Sequence, residues 1–349
     1  MFDIAIIDYR DPIFGIITIF IFIFLASFFT YSFGIYKERK RRKEYRKLLK
    51  RFELGDLKED DYIHLYTTYN LPFDSIILLA SSFLNKGQYN KAISVYLALL
   101  EHVSDSVKKE ELLELLGDTY FKSGLLQRSK DIYLKILKFS PRNKTALRHL
   151  LLVFEYLKEY KRAEEVIDSL SELNEVIIID RIYIKVLQII EDPLLSFEDK
   201  STLLLNNFIV NNKLERLVVE FLIKFNKKLF WENIDKFNIS KIIDLLWYLD
   251  FDDVDFDKIQ NLPKLKELYC AKGYIDEPIY SKQFELSVLI SNNNSKLKVD
   301  MDLNFEFICN KCKHNHPIYS SRCPHCHSIL TFIVEPKLSK KIEAISSFL

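Results

Sequence analysis

Four cysteines crowd into eighteen residues near one end of the chain: Cys309-Asn-Lys-Cys312, then ten residues, then Cys323-Pro-His-Cys326. Two C-x-x-C turns this close place four thiolates at the corners of a tetrahedron, the donor set of structural zinc or of a four-thiolate iron centre. One zinc or iron ion is therefore expected at Cys309, Cys312, Cys323 and Cys326. Backbone N–H groups in each turn can point at the sulfurs, and Lys311, Lys313 and Arg322 offset the charge of a metal tetrathiolate. His314, His316, His325 and His327 crowd the same turns and offer substitute ligands. The competing arrangement, a pair of disulfides, belongs to an oxidising compartment. Cys270, alone in LYCAKG, reads as a small buried apolar residue.

Nothing else in the chain has the spacing of reactive chemistry. Among 349 residues there are 7 glycines, none in G-x-G spacing and none followed by Lys-Ser or Lys-Thr, which excludes a dinucleotide fingerprint and a P-loop. H-E-x-x-H and G-x-S-x-G are absent too. No catalytic residue and no small-molecule substrate are expected. The elements that must hold the cysteines are short: FEFICNKC and SILTFIVEP read as strands of a small β ribbon, too small to fold without its metal.

Charge is placed unevenly. Residues 37–51 carry ten Lys/Arg and two Glu, so a chain of net charge +1 has an acidic remainder of −7 behind one basic collar. That balance argues against nucleic acid as a partner. The collar follows 25 uncharged residues, Pro12 to Tyr36, of which 15 are Ile, Leu or Phe. As a helix they reach about 37 Å, enough for a hydrocarbon core of about 30 Å. A cleaved signal peptide would want a basic N-terminus, whereas Asp3, Asp8 and Asp11 precede this run. Short Lys/Arg-rich segments stay cytoplasmic, so a single-pass anchor with its N-terminus outside and its body inside is expected. The collar serves as that topology signal; a sharper reading adds attraction to anionic lipid.

A period follows the collar. Gly117–Tyr120–Gly124–Ser129–Tyr133–Pro141 and Leu151–Phe154–Tyr160–Ala163–Ile167 lie 34 residues apart, and Ala80–Phe83–Gly87–Tyr89–Ala92–Tyr96 lies 37 before the first of these. This is the tetratricopeptide (TPR) period of helix, tight turn, helix. Small residues sit where paired helices cross, aromatics fill the wedges, and Gly87 and Gly124 suit the left-handed position that ends a helix. Such arrays bind segments of other proteins on the concave face built by the first helices. In the first repeat the inward positions are Ile77, Ser81, Leu84 and Asn85. The second offers Glu114, Asp118, Phe121 and Lys122, and the third Arg148, Leu152, Glu155 and Tyr156. Beyond residue 172 the helices continue without a fixed register, as ISKIIDLLWYL (239–249) and LPKLKELYCAKGY (262–274), with breaks at Pro193, Pro263 and Pro278. The acidic run from Asp244 to Asp257 reads as a solvated helix end and loop.

An anchor helix, basic collar, TPR repeats and a terminal C-x-x-C…C-P-x-C ribbon together resemble the lipopolysaccharide assembly protein B family of Gram-negative inner membranes. The likeness is carried by SFLNKGQYNKAISVYLALL (82–100), LLGDTYFKSGLLQRSKDIYLKIL (115–137), ALRHLLLVFEYLKEYKRAEEVIDSL (146–170) and FICNKCKHNHPIYSSRCPHCHSILTFIVEP (307–336). Residues 173–303 depart from it, and Lys313 stands where rubredoxin-type knuckles have Gly. The resemblance implies an all-α protein: a single transmembrane helix, a TPR-type α-solenoid and a small C-terminal rubredoxin-like zinc-ribbon β domain. The expected segments are 1–36 with the membrane helix, 37–72 basic and juxtamembrane, 73–172 with three repeats, 173–303 with divergent helical repeats, 304–336 with the metal ribbon, and a tail at 337–349. It also implies an adaptor in the bacterial inner membrane that works with an FtsH-type membrane protease to promote degradation of the lipid A pathway deacetylase, the four cysteines being metal ligands. Two alternatives stand beside it: a general scaffold for an envelope-assembly complex, and a rubredoxin-like electron carrier.

Overall fold

The computed structural model describes residues 12–53, 61, 64, 66–68, 72–277, 279–297 and 299–341. The acidic N-terminal residues, the expected break at Pro278 and residues 342–349 of the tail lie outside the described residues. The molecule is mostly helical, with TPR repeats, one N-terminal apolar helix and a small antiparallel sheet bearing the cysteines.

Helix α1 (Pro12–Glu53) is a single uninterrupted helix of 42 residues that takes in both the apolar run and the collar. At 1.5 Å per residue it is about 63 Å long. It is the one helix among the described residues long and apolar enough to cross a membrane, a property signal sequences share. Phe20, Phe22, Phe24, Phe28, Phe29 and Phe33 point outward, Phe22 being 75% exposed. The threonine hydroxyls inside the run are satisfied within the helix: Thr18 donates to the Gly15 carbonyl at 3.3 Å and Thr30 to those of Ala26 and Ser27 at 3.0 and 2.9 Å. Such self-sufficiency is what a segment without water requires.

The chain divides into two compact units, residues 1–157 and 158–349. In the first, α2 (Phe73–Asn85), α3 (Tyr89–His102), α4 (Ser106–Lys122), α5 (Leu126–Phe139) and α6 (Lys144–Tyr156) pack each on the next, and α4 also touches α6. The turns explain the repeat. Gly87 (φ +71°) lets the Gln88 N–H reach back to the Phe83 carbonyl at 2.9 Å, and Gly124 (φ +78°) lets Leu125 reach Tyr120 at 2.9 Å. Asp105 and Asn143 cap α4 and α6 by accepting from the Val107 and Ala146 N–H groups at 2.9 and 2.7 Å. Gly117 is required by space, since a Cβ there would meet the Tyr133 ring at 2.8 Å. Ser129 locks that crossing by donating to the Gly117 carbonyl at 2.8 Å. Ala80, Ala92, Tyr96 and Tyr133 are wholly buried, as the repeat pattern expects.

In the second unit, α7 (Tyr160–Glu172), α8 (Ile178–Glu191) and α9 (Phe197–Val210) keep repeat-like lengths. The left-handed turn after α7 recurs with Asn174 (φ +59°) in place of glycine. After α10 (Glu215–Phe225) the helices shrink to α11 (Lys227–Glu232), α12 (Ile243–Trp247) and α13 (Phe256–Ile259), before α14 (Pro263–Lys272) and α15 (Phe284–Asn293). The stretch 239–249 is therefore a 3-10 turn and one short helix, and Pro263 opens α14 at its first position instead of breaking a helix.

The sheet runs β2–β1–β3, all antiparallel, with β1 (Met301–Cys309) between β2 (Asn315–His316) and β3 (Phe332–Lys340). Period-two alternation along β1 turns Leu303, Phe305 and Phe307 inward. These three and Val334 share one apolar core with Trp247, Tyr269 and Leu289 of the helices. The sheet is thus part of the helical body, not a free ribbon.

Candidate metal centre

The two cysteine turns repeat one backbone design. The Lys313 N–H donates to the Cys309 carbonyl at 2.8 Å and the His327 N–H to the Cys323 carbonyl at 2.9 Å. In return the N–H groups of Cys309 and Cys323 donate to His314 and Ser328 at 3.0 and 2.9 Å. Both loops close through a left-handed residue, Lys313 (φ +62°) and His327 (φ +57°), each held in a conformation that side chains disfavour. Cys309 and Cys323 are buried beneath, while Cys312 and Cys326 reach partway to the surface.

The turns bring all four sulfurs within 4.8 Å of one another. Cys309 lies 3.7 Å from Cys326, and Cys312 lies 3.7 Å from Cys323. A tetrahedron with metal–sulfur bonds of about 2.3 Å has edges of about 3.8 Å, so this donor set fits a tetrahedral zinc or iron ion.

Two residues that the cysteine spacing does not announce complete the surroundings. The Ser328 hydroxyl lies 3.0 Å from the Cys326 sulfur and 3.5 Å from that of Cys309; the Thr331 hydroxyl lies 3.3 Å from Cys309. Their effect shows in the thiols. Burial alone would raise Cys309, but the Cys312 N–H, both hydroxyls and the Lys311 N–H outweigh it and hold Cys309 at about 5. Cys326 is also lowered against burial, by Ser328, whereas burial pushes Cys323 up to about 12. Of the cations expected to offset the thiolates, Lys313 donates to the Asn310 side chain, and Arg322 donates to the His327 carbonyl at 2.7 Å. His316 comes within 3.8 Å of the Cys323 sulfur.

Arg216 of α10 ties the sheet to the helices. It makes a bidentate pair with Asp244 of α12, and its guanidinium lies 3.9 Å from the centre of the Tyr319 ring and 5.5 Å from that of Phe307. Arg322 of the second knuckle reciprocates over Tyr183 of α8, at 5.7 Å. The Trp247 indole donates to Asp302 at 3.0 Å. Asp244, expected in a solvated run, is only 3% exposed. An arginine 28 positions earlier, rather than water, receives its charge.

The inward positions of the first unit cluster in part. Phe121 and Tyr156 meet edge to face at 5.2 Å, Asp118 pairs with Lys122 at 2.7 Å, and Glu114 accepts from Asn143 at 2.7 Å. Ile77, Ser81, Leu84 and Glu155 are partly exposed, and Asn85 and Arg148 are exposed. Leu152 is buried and packs inside. His149, beside Arg148, was not singled out by the repeat pattern. Its ring stacks on Tyr133 at 5.3 Å, and burial lowers its pKa despite Asp118 and Glu114 nearby.

The chain thus joins helical repeats of the TPR type to a four-cysteine antiparallel sheet. The tetratricopeptide repeat family matches residues 110–143, a 34-residue span across α4 and α5. The chain is similar to the uncharacterized protein ycf37 of Pyropia yezoensis, 29% identical over 75 residues; the match takes in 22% of this chain and 42% of that relative. It is also similar to the crystal structure of a tetratricopeptide repeat protein from Parabacteroides merdae, with 14% identity and a TM-score of 0.38 over 73% of this chain and 98% of that one.

Proposed function

We propose that the protein is a non-enzymatic adaptor, anchored by α1 in a bacterial inner membrane with its N-terminus outside and its body in the cytoplasm. It regulates lipopolysaccharide synthesis by bringing the lipid A pathway deacetylase to an FtsH-type membrane protease. The observation that carries this reading is the union in one chain of an outward-facing apolar helix, an adjoining basic flank and a repeat array with partly exposed inward residues. Anchoring the array beside a membrane protease raises the effective concentration of one for the other without added contacts. In this reading Ile77, Ser81, Leu84 and Asn85 of α2, Glu114, Asp118, Phe121 and Lys122 of α4, and Arg148, Glu155 and Tyr156 of α6 face the partner. One zinc or iron ion on the four cysteines has a structural role, holding the two knuckles.

Depletion of the protein in its host, with deacetylase half-life followed by immunoblot, tests the proposal. The half-life should lengthen, and a Cys309→Ser copy should not restore it. An unchanged half-life would refute the proteolytic role. The second reading, a scaffold for an envelope-assembly complex, is favoured by the loss of repeat form in α11–α13, where any surface shared with long-helix repeats is gone. Crosslinking from Asn85 and Tyr156 would then identify the cargo.

A further inference from the structure

Two imidazoles beside the knuckles are left unused by a four-cysteine site. His314 follows the first knuckle and His325 lies inside the second, and their rings stack with centroids 3.5 Å apart at 21°. Both are exposed, above the half-buried Cys312. The Cys312 sulfur and one nitrogen from each ring lie within 4.8 Å of one another. His314 Nδ1 is 3.3 Å from the Cys312 carbonyl oxygen. The tautomer that donates there leaves the Nε2 lone pair for a metal, the way metal-binding histidines are commonly oriented.

We infer that Cys312, His314 and His325 form a second metal site, an open set of two nitrogens and one sulfur for a borderline dication such as Zn2+, with the Cys312 thiolate bridging to the ion of the four-cysteine site. The inference rests on that first site, since Cys312 belongs to both. Imidazole nitrogen and thiolate sulfur are the donors zinc prefers, and a thiolate bound to one ion keeps lone pairs for another. Charge favours it as well. A dication on four thiolates leaves a net −2. A second dication cancels the excess. Stacked rings hold their in-plane lone pairs nearly parallel, so binding turns them about χ2; both rings are at the surface and that torsion is soft. Three protein ligands leave one coordination position open, unlike the closed four-cysteine site beneath.

The test uses the full chain in detergent, stripped of metal and reloaded across a series of buffered Zn2+ concentrations, with zinc per chain measured by plasma mass spectrometry. In parallel, Co2+ loading reports the four-cysteine site through its sulfur-to-cobalt charge-transfer band. Wild type should reach two zinc ions per chain. A His314→Ala/His325→Ala chain should stop at one with the charge-transfer band unchanged, and His325→Gln alone should weaken the second ion about tenfold or more. Saturation of wild type at one ion would overturn the inference, as would a double variant that still takes two. A wild type that takes no ion at all would fail the four-cysteine site itself, a different result from the loss of the second ion only.

Discussion

Around the sulfurs, Ser328 and Thr331 are the side chains whose loss should be felt most. Their hydroxyls touch Cys309 and Cys326 and each other, the mutual distance being 2.8 Å. Partners that orient ligands without binding the metal typically change affinity by about 10–100-fold. A Ser328→Ala/Thr331→Val chain should therefore lose zinc to a competing chelator about tenfold more readily or worse, with the sheet still folded; equal retention would deny the hydroxyls a role. His149 makes a different prediction. Burial lowers the pKa of its ring in the folded state, while the unfolded residue titrates near about 6.5. The unfolded chain thus binds the proton first as the pH falls. The stability tied to this ring is present above about 6.5 and lost below it. Melting at pH 7.5 and pH 5.0 should show a smaller acid loss in His149→Phe, which keeps an aromatic ring on Tyr133, than in wild type.

Among the elements, the join between α10, α12 and the sheet is the point of greatest electrostatic consequence. Arg216 and Asp244 are both almost fully buried, and Arg216 also pairs with the partly buried Glu220 at 3.0 Å, so it is removal of the arginine that strands a buried charge, that of Asp244. Arg216→Met should cost about 3–5 kcal/mol in denaturant unfolding, whereas an Arg216→Met/Asp244→Leu chain should recover much of that loss. A double variant no more stable than the single one would show that the aromatic contacts of Arg216 to Tyr319 and Phe307, not its charge pairing, hold the join. The same elements show what could and could not be read from residues alone. The two knuckles were legible because each is a local turn set by C-x-x-C spacing. The first helix pairs were legible because Gly87, Gly117 and Gly124 mark positions that a turn or a crossing forces. The Arg216–Asp244 pair was not, since one buried Asp within an acidic run has no local signature and its partner lies on another helix. Inward packing of β1 was half legible: the alternation of Leu303, Phe305 and Phe307 shows a buried face but not what covers it. Positions 239–249 look like one helix because apolar residues recur with helical spacing, yet tertiary packing breaks the stretch at Ile242.

For the molecule as a whole, the shared core couples the metal to much of the second unit. Phe305, Phe307 and Val334 sit in one cluster with Phe230, Trp247, Tyr269 and Leu289. Removing the ion should therefore loosen more than the knuckles. Hydrogen exchange on the full chain with and without chelator should show protection falling along β1 and in α10, α12 and α14, while α2–α5 of the first unit stay unchanged. Exchange confined to residues 309–331 would mean that the sheet stands without its metal. The reciprocal arginines, Arg216 reaching into the sheet and Arg322 reaching out over Tyr183, carry one more consequence. They make residues 301–340 indivisible from the helices that precede them. A chain cut before Met301 bares the apolar faces of α12, α14 and α15, and the excised sheet bares its own, so neither piece can be transplanted as a module. Evolution can lengthen or erode the repeats ahead of this join, but it must inherit the last helices and the metal knuckle together.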